Sequence, residues 1–482
     1  MKLKKLQIVI IFFLALTAGC SQQHSLYKID IIKREGISAR IEDVIGEYPQ
    51  NKAHWGIIVQ NEAGDKLYSL SSEQLFVPAS TLKLITAATL WNTLGQEYRI
   101  PTFIGYNGFT NNNILFGDLI VTGTGDPTLD KRHWRDPENV FKAWADSLRM
   151  HGISEIRGDV VGNDDLFEEQ HLGYGWAWED LSFPFSAEFG PLMVNNTTVE
   201  ITLLPPQNNT KEITFIDNLP FPYLNYENLI TVSDTLEEGV HARRLTGLNM
   251  VSLFGKFNST SGAANKSVTA SNPTLYYASL LKSILENNGI LISGKSRDID
   301  ELTEKPQTIT PLFTSYSPQL QYVIREFLQD SNNQAGEALL RTMAWQETGY
   351  GSFENGKLYV EVYLETLGIS RLDYNYKDAC GLSRYNLLSP VVLNKVLLAM
   401  QNSPEWEKCL PQPGLPGTLE KRLNDLSPEI YAKTGSMSGI SCLSGYLYNG
   451  NKKLVFSIMV NNYNNPQKAS ELIDQIIYLL NN

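Results

Sequence analysis

The sequence predicts an α/β protein in which one domain draws its sheet from both ends of the chain and is interrupted by a mostly β insertion. Three observations carry this. A strand–turn–strand–helix pattern lies before residue 100, a hairpin and an amphipathic helix close the chain, and short strands with turn clusters fill residues 101–300. At 482 residues the chain is also too long for one ordinary core.

Taken in order, residues 37–48 read as a polar helix, and 54–60 and 66–70 as strands around the turn Asn61-Glu62-Ala63-Gly64-Asp65. Residues 80–94 read as a helix with Leu84, Ala87, Ala88 and Trp91 on one face and Gly95 as its stop. In the middle, 115–121 and 199–204 are strand-like, Pro205-Pro206-Gln207-Asn208-Asn209 is a loop, and 274–287 is a helix. Gly123-Thr124-Gly125-Asp126-Pro127 imitates a nucleotide loop, but Thr128 replaces the third glycine and Pro127 spoils the helix start. It reads as a turn. Residues 445–448 and 454–461 form a hairpin around Asn449-Gly450-Asn451, and 466–480 form the last helix. The expected domains are a signal (1–20), a discontinuous domain (21–100 and 301–482) and an insertion of two subdomains (101–300).

Composition is that of a soluble globular protein, 42% hydrophobic and 19% charged. The first twenty residues stand apart. Lys2, Lys4 and Lys5 precede an apolar run from Leu6 to Leu16, too short to span a bilayer comfortably, and Thr17-Ala18-Gly19-Cys20 follows. This resembles a bacterial lipoprotein signal, with Cys20 the lipid-bearing first residue after cleavage; Thr17 departs from the usual Leu. The expectation is an exported, periplasmic protein that meets the membrane only through that lipid. Losing three lysines with the signal moves the formal charge from −12 to −15, which argues against nucleic acid or anionic lipid as a partner. Cys380, Cys409 and Cys442 are an odd set, so no disulfide framework is expected. The six histidines lack metal-ligand spacing, so neither a metal nor another cofactor is expected.

Three short motifs occur in order: Ser80-Thr81-Leu82-Lys83, Ser331-Asn332-Asn333 and Lys433-Thr434-Gly435. Ser-x-x-Lys also occurs at Ser25–Lys28 and Ser279–Lys282, but only Ser80 opens a helix, behind Pro78-Ala79. One helical turn places Lys83 on the face of Ser80. A serine hydroxyl needs a base, and a lysine serves when burial or a second cation such as Lys433 lowers its pKa. The Ser80 N–H, at a helix start, is free for an oxyanion. Ser331 supplies a hydroxyl near a leaving nitrogen, and Asn333 an amide for Lys83 and the substrate backbone. Lys433 and Thr434 suit a carboxylate, Gly435 permits close approach, and the Ser436 N–H completes the oxyanion hole.

Together the motifs resemble the penicillin-recognising serine enzymes, the D,D-peptidases and serine β-lactamases. Ser80 and Ser331 are 251 positions apart, a gap similar to that of the low-molecular-mass class C penicillin-binding proteins, the D-Ala-D-Ala carboxypeptidase/endopeptidase family. Gly123-Thr124-Gly125-Asp126-Pro127-Thr128-Leu129, Asp378-Ala379-Cys380-Gly381-Leu382-Ser383-Arg384, Gly417-Thr418-Leu419 and Ser444-Gly445-Tyr446 extend the resemblance over nearly the whole mature chain. It implies a β-lactamase/D,D-peptidase-like domain, an antiparallel sheet with flanking helices, carrying large inserted domains. It implies peptidoglycan stem peptides as substrate, β-lactam antibiotics as covalent inhibitors, and Arg384 as a stem-peptide contact at the cleft edge. Two departures stand out. Cys380 replaces a usual Ser, and an acid expected near the site aligns with Asn163, not Asp164.

Two other readings compete. A β-lactamase or esterase needs a deacylating group, for which Glu188 has no partnering Asn, although Tyr223-Leu224-Asn225 imitates a tyrosine motif. A silent peptidoglycan-binding lipoprotein would not need Ser80, Lys83, Asn333 and Lys433 intact. The insertion, lacking all three motifs, is expected to shape substrate access and not chemistry.

Overall fold

The computed structural model describes residues 36–47, 52–132, 134–206, 212–233, 239–427 and 429–481. The signal, Cys20, Ser25–Lys28 and residues 207–209 of the proline loop lie outside the described residues.

Helix α1 (Ile37–Gly46) precedes the hairpin of β1 (His54–Asn61) and β2 (Lys66–Leu70). A 3-10 turn, Ala79–Leu82, then runs into α2 (Lys83–Leu94), which Gly95 ends. The chain leaves this domain at β3 (Arg99–Tyr106) and comes back through β4 (Thr310–Gln319). There follow α3 (Leu320–Gln329), α4 (Asn333–Thr348), α5 (Phe353–Thr366) and α6 (Pro390–Met400). Last come β5 (Ile430–Met437), β6 (Ile440–Asn449), β7 (Lys452–Asn461) and α7 (Pro466–Leu480).

Both ends of the chain meet in one antiparallel sheet of order β2-β1-β7-β6-β5. Alternation along the strands feeds two cores. Ile57, Leu443, Phe456 and Ile458 point to one face, under Ile41 and Ile45 of α1 and Ile473 and Ile477 of α7. Cys442, Tyr446, Val455 and Met459 point to the other, under α2, α3, α4 and α6. Covering both faces is why β6 and β7 are near-continuous apolar runs. Each fully buried Leu or Ile contributes roughly 1.5–3 kcal/mol of transfer free energy. Only β5 is left at an edge next to the 3-10 turn, and this edge positions the site.

In the insertion, β3 and β4 pair with each other in a sheet of order Ser296–Asp298, Val160–Asn163, Leu119–Thr122, β3, β4. The stretch 310–319, which the sequence groups with the flanking domain, therefore pairs within the insertion's sheet. Two helices, Pro137–Met150 and Pro273–Asn287, pack there through Phe141, Trp144, Tyr277 and Leu281. The first is absent from the sequence reading, although Asp136 caps it and Phe141, Trp144, Ala145 and Leu148 form its buried stripe. The expected strand 115–121 is two, Ile114–Phe116 and Leu119–Thr122, which break at Gly117 and join different sheets. Beyond them, Thr198–Leu204 and Met250–Asn258 each sit at the centre of a three-stranded sheet. Among the described residues no helix is long and apolar enough to cross a membrane.

Candidate active site

The 3-10 turn, the start of α4 and the edge of β5 converge on one cleft. Lys83 Nζ lies 2.9 Å from Ser80 Oγ, one turn away as the spacing requires. Its other partners are the Asn333 Oδ1 at 2.6 Å and the Cys380 carbonyl at 2.7 Å. Lys83 is fully buried, and burial holds its pKa below the usual lysine value, while the Cys380 thiol, Asp378 and Glu337 push it back up.

Asn333 owes its aim to the start of α4. Asn332 is the N-cap, its side chain accepting the Ala335 N–H at 3.0 Å, and Ser331 turns the chain there with φ of 58°. The Asn333 amide is gripped at both ends, since its Nδ2 donates to the Phe185 carbonyl at 2.7 Å. Next to it, Gln334 Nε2 donates to the carbonyls of Pro184 and Ala187 at 3.0 and 3.2 Å. These carbonyls belong to the insertion. The expectation that the insertion only shapes access is thereby amended: it also clamps the helix that carries Asn333.

Strand β5 brings the third motif. At Gly435 a Cβ would stand 2.7 Å from the Pro78 carbonyl oxygen and 3.2 Å from the Ser80 N, so this strand reaches the Ser80 turn only because the residue is glycine. The close approach is made by the protein's own backbone. The Ala432 N–H leaves the sheet for the Pro411 carbonyl, and the two-residue period of a strand sends the Ser436 N–H the same way, off the edge. Lys433 is fully buried behind this edge, with Nζ donating to the Thr434 carbonyl at 2.9 Å. Burial first and the Lys83 charge second hold its pKa well below the usual value, against the pull of Asp330.

The cleft, of ≈ 530 Å³, is lined by Ser80, Ser331, Asn333, Arg384 and Ser436, and from the insertion by Asp180 and Phe185 among others. Arg384 donates to the Ser438 carbonyl at 2.8 Å. Ser331 has no hydrogen-bond partner among the described residues. Thus Ser80, Lys83, Ser331, Asn333, Ser436 and Arg384 come together at the cleft. Lys433 and Gly435 are buried in its β5 wall, while Thr434 is half-buried on the strand face that carries Ser436. Asn163 and Asp164 are buried in the insertion and do not line it.

The loop holding the Cys380 carbonyl is organised by two buried acids, Asp378, which the family-like segment includes without a role, and Glu337, which motif reading misses. Asp378 accepts the N–H groups of Cys380, Gly381 and Ser383, the Asn386 amide and the Trp176 indole N–H. Glu337 accepts the Ala379 N–H at 2.7 Å. Gly381, with φ of +87°, lies where any Cβ would collide with the Ala79 carbonyl. Glu337, Asp378 and Cys380 are close enough to share a cation, but these acids already spend their oxygens on N–H donors. Two more acidic groups, Asp164 with Asp298 and Asp300, and Asp165 with Glu169 and Asp300, lie in the insertion away from the cleft. Cys380, Cys409 and Cys442 are all unpaired.

Rival residues are occupied elsewhere. Ser279 Oγ is paired with Ser296 Oγ inside the insertion. Glu188 accepts from Arg244, Ser271 and the Asn272 N–H, and Tyr223 OH donates to the Ser271 and Asn272 carbonyls. Neither lines the cleft.

A domain of this architecture with a Ser–Lys–Asn constellation at its sheet edge defines a penicillin-recognising serine enzyme. More narrowly, the chain matches the D-Ala-D-Ala carboxypeptidase 3 (S13) family over residues 37–482 and belongs to it. It is 27% identical over 451 residues to the D-alanyl-D-alanine carboxypeptidase of Actinomadura sp. (strain R39), covering 90% of this chain and 81% of that one. Penicillin binding protein 4 (dacB) of Haemophilus influenzae shares the fold, with a TM-score of 0.80 at 24% identity over 92% of this chain and 99% of that one. The same protein solved with a β-lactam aligns with a TM-score of 0.74 at 23% identity over 91% and 99%.

Proposed function

We propose that this protein is a serine D,D-peptidase that hydrolyses D-Ala-D-Ala, or D-Ala-linked cross-links, in peptidoglycan stem peptides and is acylated by β-lactams. One observation carries the reading: the three partners of the Lys83 amine. A neutral amine has two N–H groups and one lone pair. Asn333 Oδ1 and the Cys380 carbonyl can only accept, so they take both N–H groups. The lone pair then faces the Ser80 hydroxyl. Burial favours that neutral form. Family membership and the names of the relatives point the same way.

The roles follow. Lys83 takes the Ser80 proton as Oγ bonds to the carbonyl carbon of the penultimate D-alanine. The oxyanion lies against the N–H groups of Ser80 and Ser436. The C–N bond breaks as the leaving amine gains a proton through Ser331, giving an acyl-enzyme. Water then adds, a proton goes back to Ser80, and the Oγ–C bond breaks. Thr434 and Ser436 contact the terminal carboxylate, on the strand that buries Lys433 behind it. Arg384 contacts the stem peptide. Cys20 carries a lipid and the protein works in the periplasm, as the signal-like start suggests. A β-lactamase reading is the weaker one, because Glu188 and Tyr223 are both engaged away from the cleft.

The test is labelling with fluorescent penicillin, together with D-alanine release from a D-Ala-D-Ala peptide. The Ser80→Ala variant is expected to lose both, while Ser279→Ala keeps both. An adduct mapped to any residue other than Ser80 would overturn the assignment.

A further inference from the structure

Behind Lys83 lies a buried chain of charge that reaches into the insertion. Glu337, on the first turns of α4, is fully buried, its Oε1 accepting the Ala379 N–H and its Oε2 an N–H of Arg341 at 3.1 Å. Arg341 is also buried, bonded on its far side to Glu168 at 2.9 Å and stacked 4.5 Å from the Phe189 ring, both residues of the insertion. Ala379 is tied again at its carbonyl by the Thr86 hydroxyl, and the next carbonyl, that of Cys380, holds Lys83.

We propose that Glu337 is a positioning residue for the Ser80 reaction: it fixes the 379–380 backbone so that the Cys380 carbonyl aims the Lys83 amine, and its charge governs how readily Lys83 gives up its proton. This rests on the reading of Lys83 as the base. The groups facing Glu337 come from several elements, and Glu354, Lys357 and Lys377 line a cavity with it and Arg341. Arg341 lies on its own helix, Asp378 and the Cys380 thiol on the loop, the Tyr376 hydroxyl just before that loop, and Lys83 on α2. Lys433 faces Lys83 in turn. Burial, then the Asp378 charge, pushes Glu337 up to about 7, against Arg341 and the Ala379 N–H. The carboxylate therefore changes charge close to neutrality, near the Lys83 amine, whose pKa burial lowers.

Glu337→Gln keeps an acceptor for the Ala379 N–H and removes the charge, whereas Glu337→Ala removes both. The measurement is penicillin acylation of the full chain, as maximal rate and half-saturating concentration, across pH 5 to 9. Glu337→Gln is expected to move the acidic limb of the rate profile to lower pH, because Lys83 loses a neighbour that favours its charged form. Glu337→Ala is expected to lower the maximal rate by about 10- to 100-fold, with the half-saturating concentration little changed. A role in stability alone would lower Tm without moving the limb. An unshifted limb in Glu337→Gln overturns the proposal, as does an undiminished maximal rate in Glu337→Ala. Should the alanine variant fail to fold, the glutamine profile decides alone. Ser80→Ala is measured alongside, since residual labelling there would sink the nucleophile assignment instead.

Discussion

The flanking domain and the insertion meet at the same cleft but contribute different material. In the proposed reaction the flanks supply the acting side chains, Ser80, Lys83, Ser331 and Asn333. The insertion supplies mainly backbone, the carbonyls of Pro184, Phe185 and Ala187, plus the Trp176 indole on Asp378. None of these insertion groups takes part in bond making, yet they orient two residues of α4 and the loop that holds Lys83. The contrast teaches that reactivity and orientation are coded differently. Reactivity needs particular side chains at fixed spacing, whereas a carbonyl is available from any residue.

If that division holds, the largest loss should come where both regions grip one side chain. Asn333→Ala removes the acceptor for Lys83 and the tether to Phe185 at once. Losing the bond to the lysine alone should slow acylation roughly 10- to 150-fold, the equivalent of about 1.5–3 kcal/mol. Stopped-flow acylation with a chromogenic β-lactam measures it, and a wild-type rate would break the comparison. A smaller effect is expected from the insertion side. Trp176→Phe keeps the packing against Phe189 and loses the N–H to Asp378. Asp378 retains its other donors, so the acylation rate should fall only about 2- to 10-fold, the usual net worth of one hydrogen bond. A loss as large as that of Asn333→Ala would mean that the insertion does more than hold the loop.

The same contrast explains what was legible in the sequence. Ser80 and Lys83 could be placed because helix geometry converts spacing into direction, Asn333 because its motif falls between the other two in order, and the last helix was read at 466–480, as it stands. The signal at Ser80 is not a plain helix start, however, but a 3-10 turn entered through Ala79 at φ of 47°. Gly435 was read as room for a ligand, while it makes room for the Ser80 turn. Phe185 was invisible, because its side chain is not what acts. Glu337 and Asp378 drew no role, since an i,i+4 pair such as Glu337–Arg341 and an acid that holds N–H groups two to five residues on are ordinary local features, and only folding brings the Ala379 N–H to Glu337. The helix Pro137–Met150 is a different case. Its cap and stripe were present in the sequence, and the surrounding short strands masked them.

The last expectation sharpens the comparison from the insertion's side, at a residue with no part in the reaction. Asp164 is 4% exposed, and its Oδ2 accepts the Thr274 hydroxyl at 2.6 Å while its Oδ1 is buried without a partner. Burial pushes its pKa up to about 6, the Thr274 bond opposing and Asp298, Glu169 and Asp300 adding to the rise. A carboxyl raised in the folded state binds its proton more tightly there than in the unfolded chain. Its stabilising contribution is therefore complete below the ordinary value near 4 and is lost as pH rises through 6. Above that, the charged, crowded acid is a liability of roughly 3 kcal/mol, which an amide of the same shape avoids. Asp164→Asn should therefore melt at a higher temperature than the wild type at pH 8, with the gap closing toward pH 4. Penicillin acylation should be unchanged at every pH, because Asp164 touches neither the cleft nor the residues behind it. A melting gap that does not vary with pH would refute the titration argument. A changed acylation profile would instead show that this acid is coupled to the site, and that the insertion's influence runs through more than the carbonyls around Phe185.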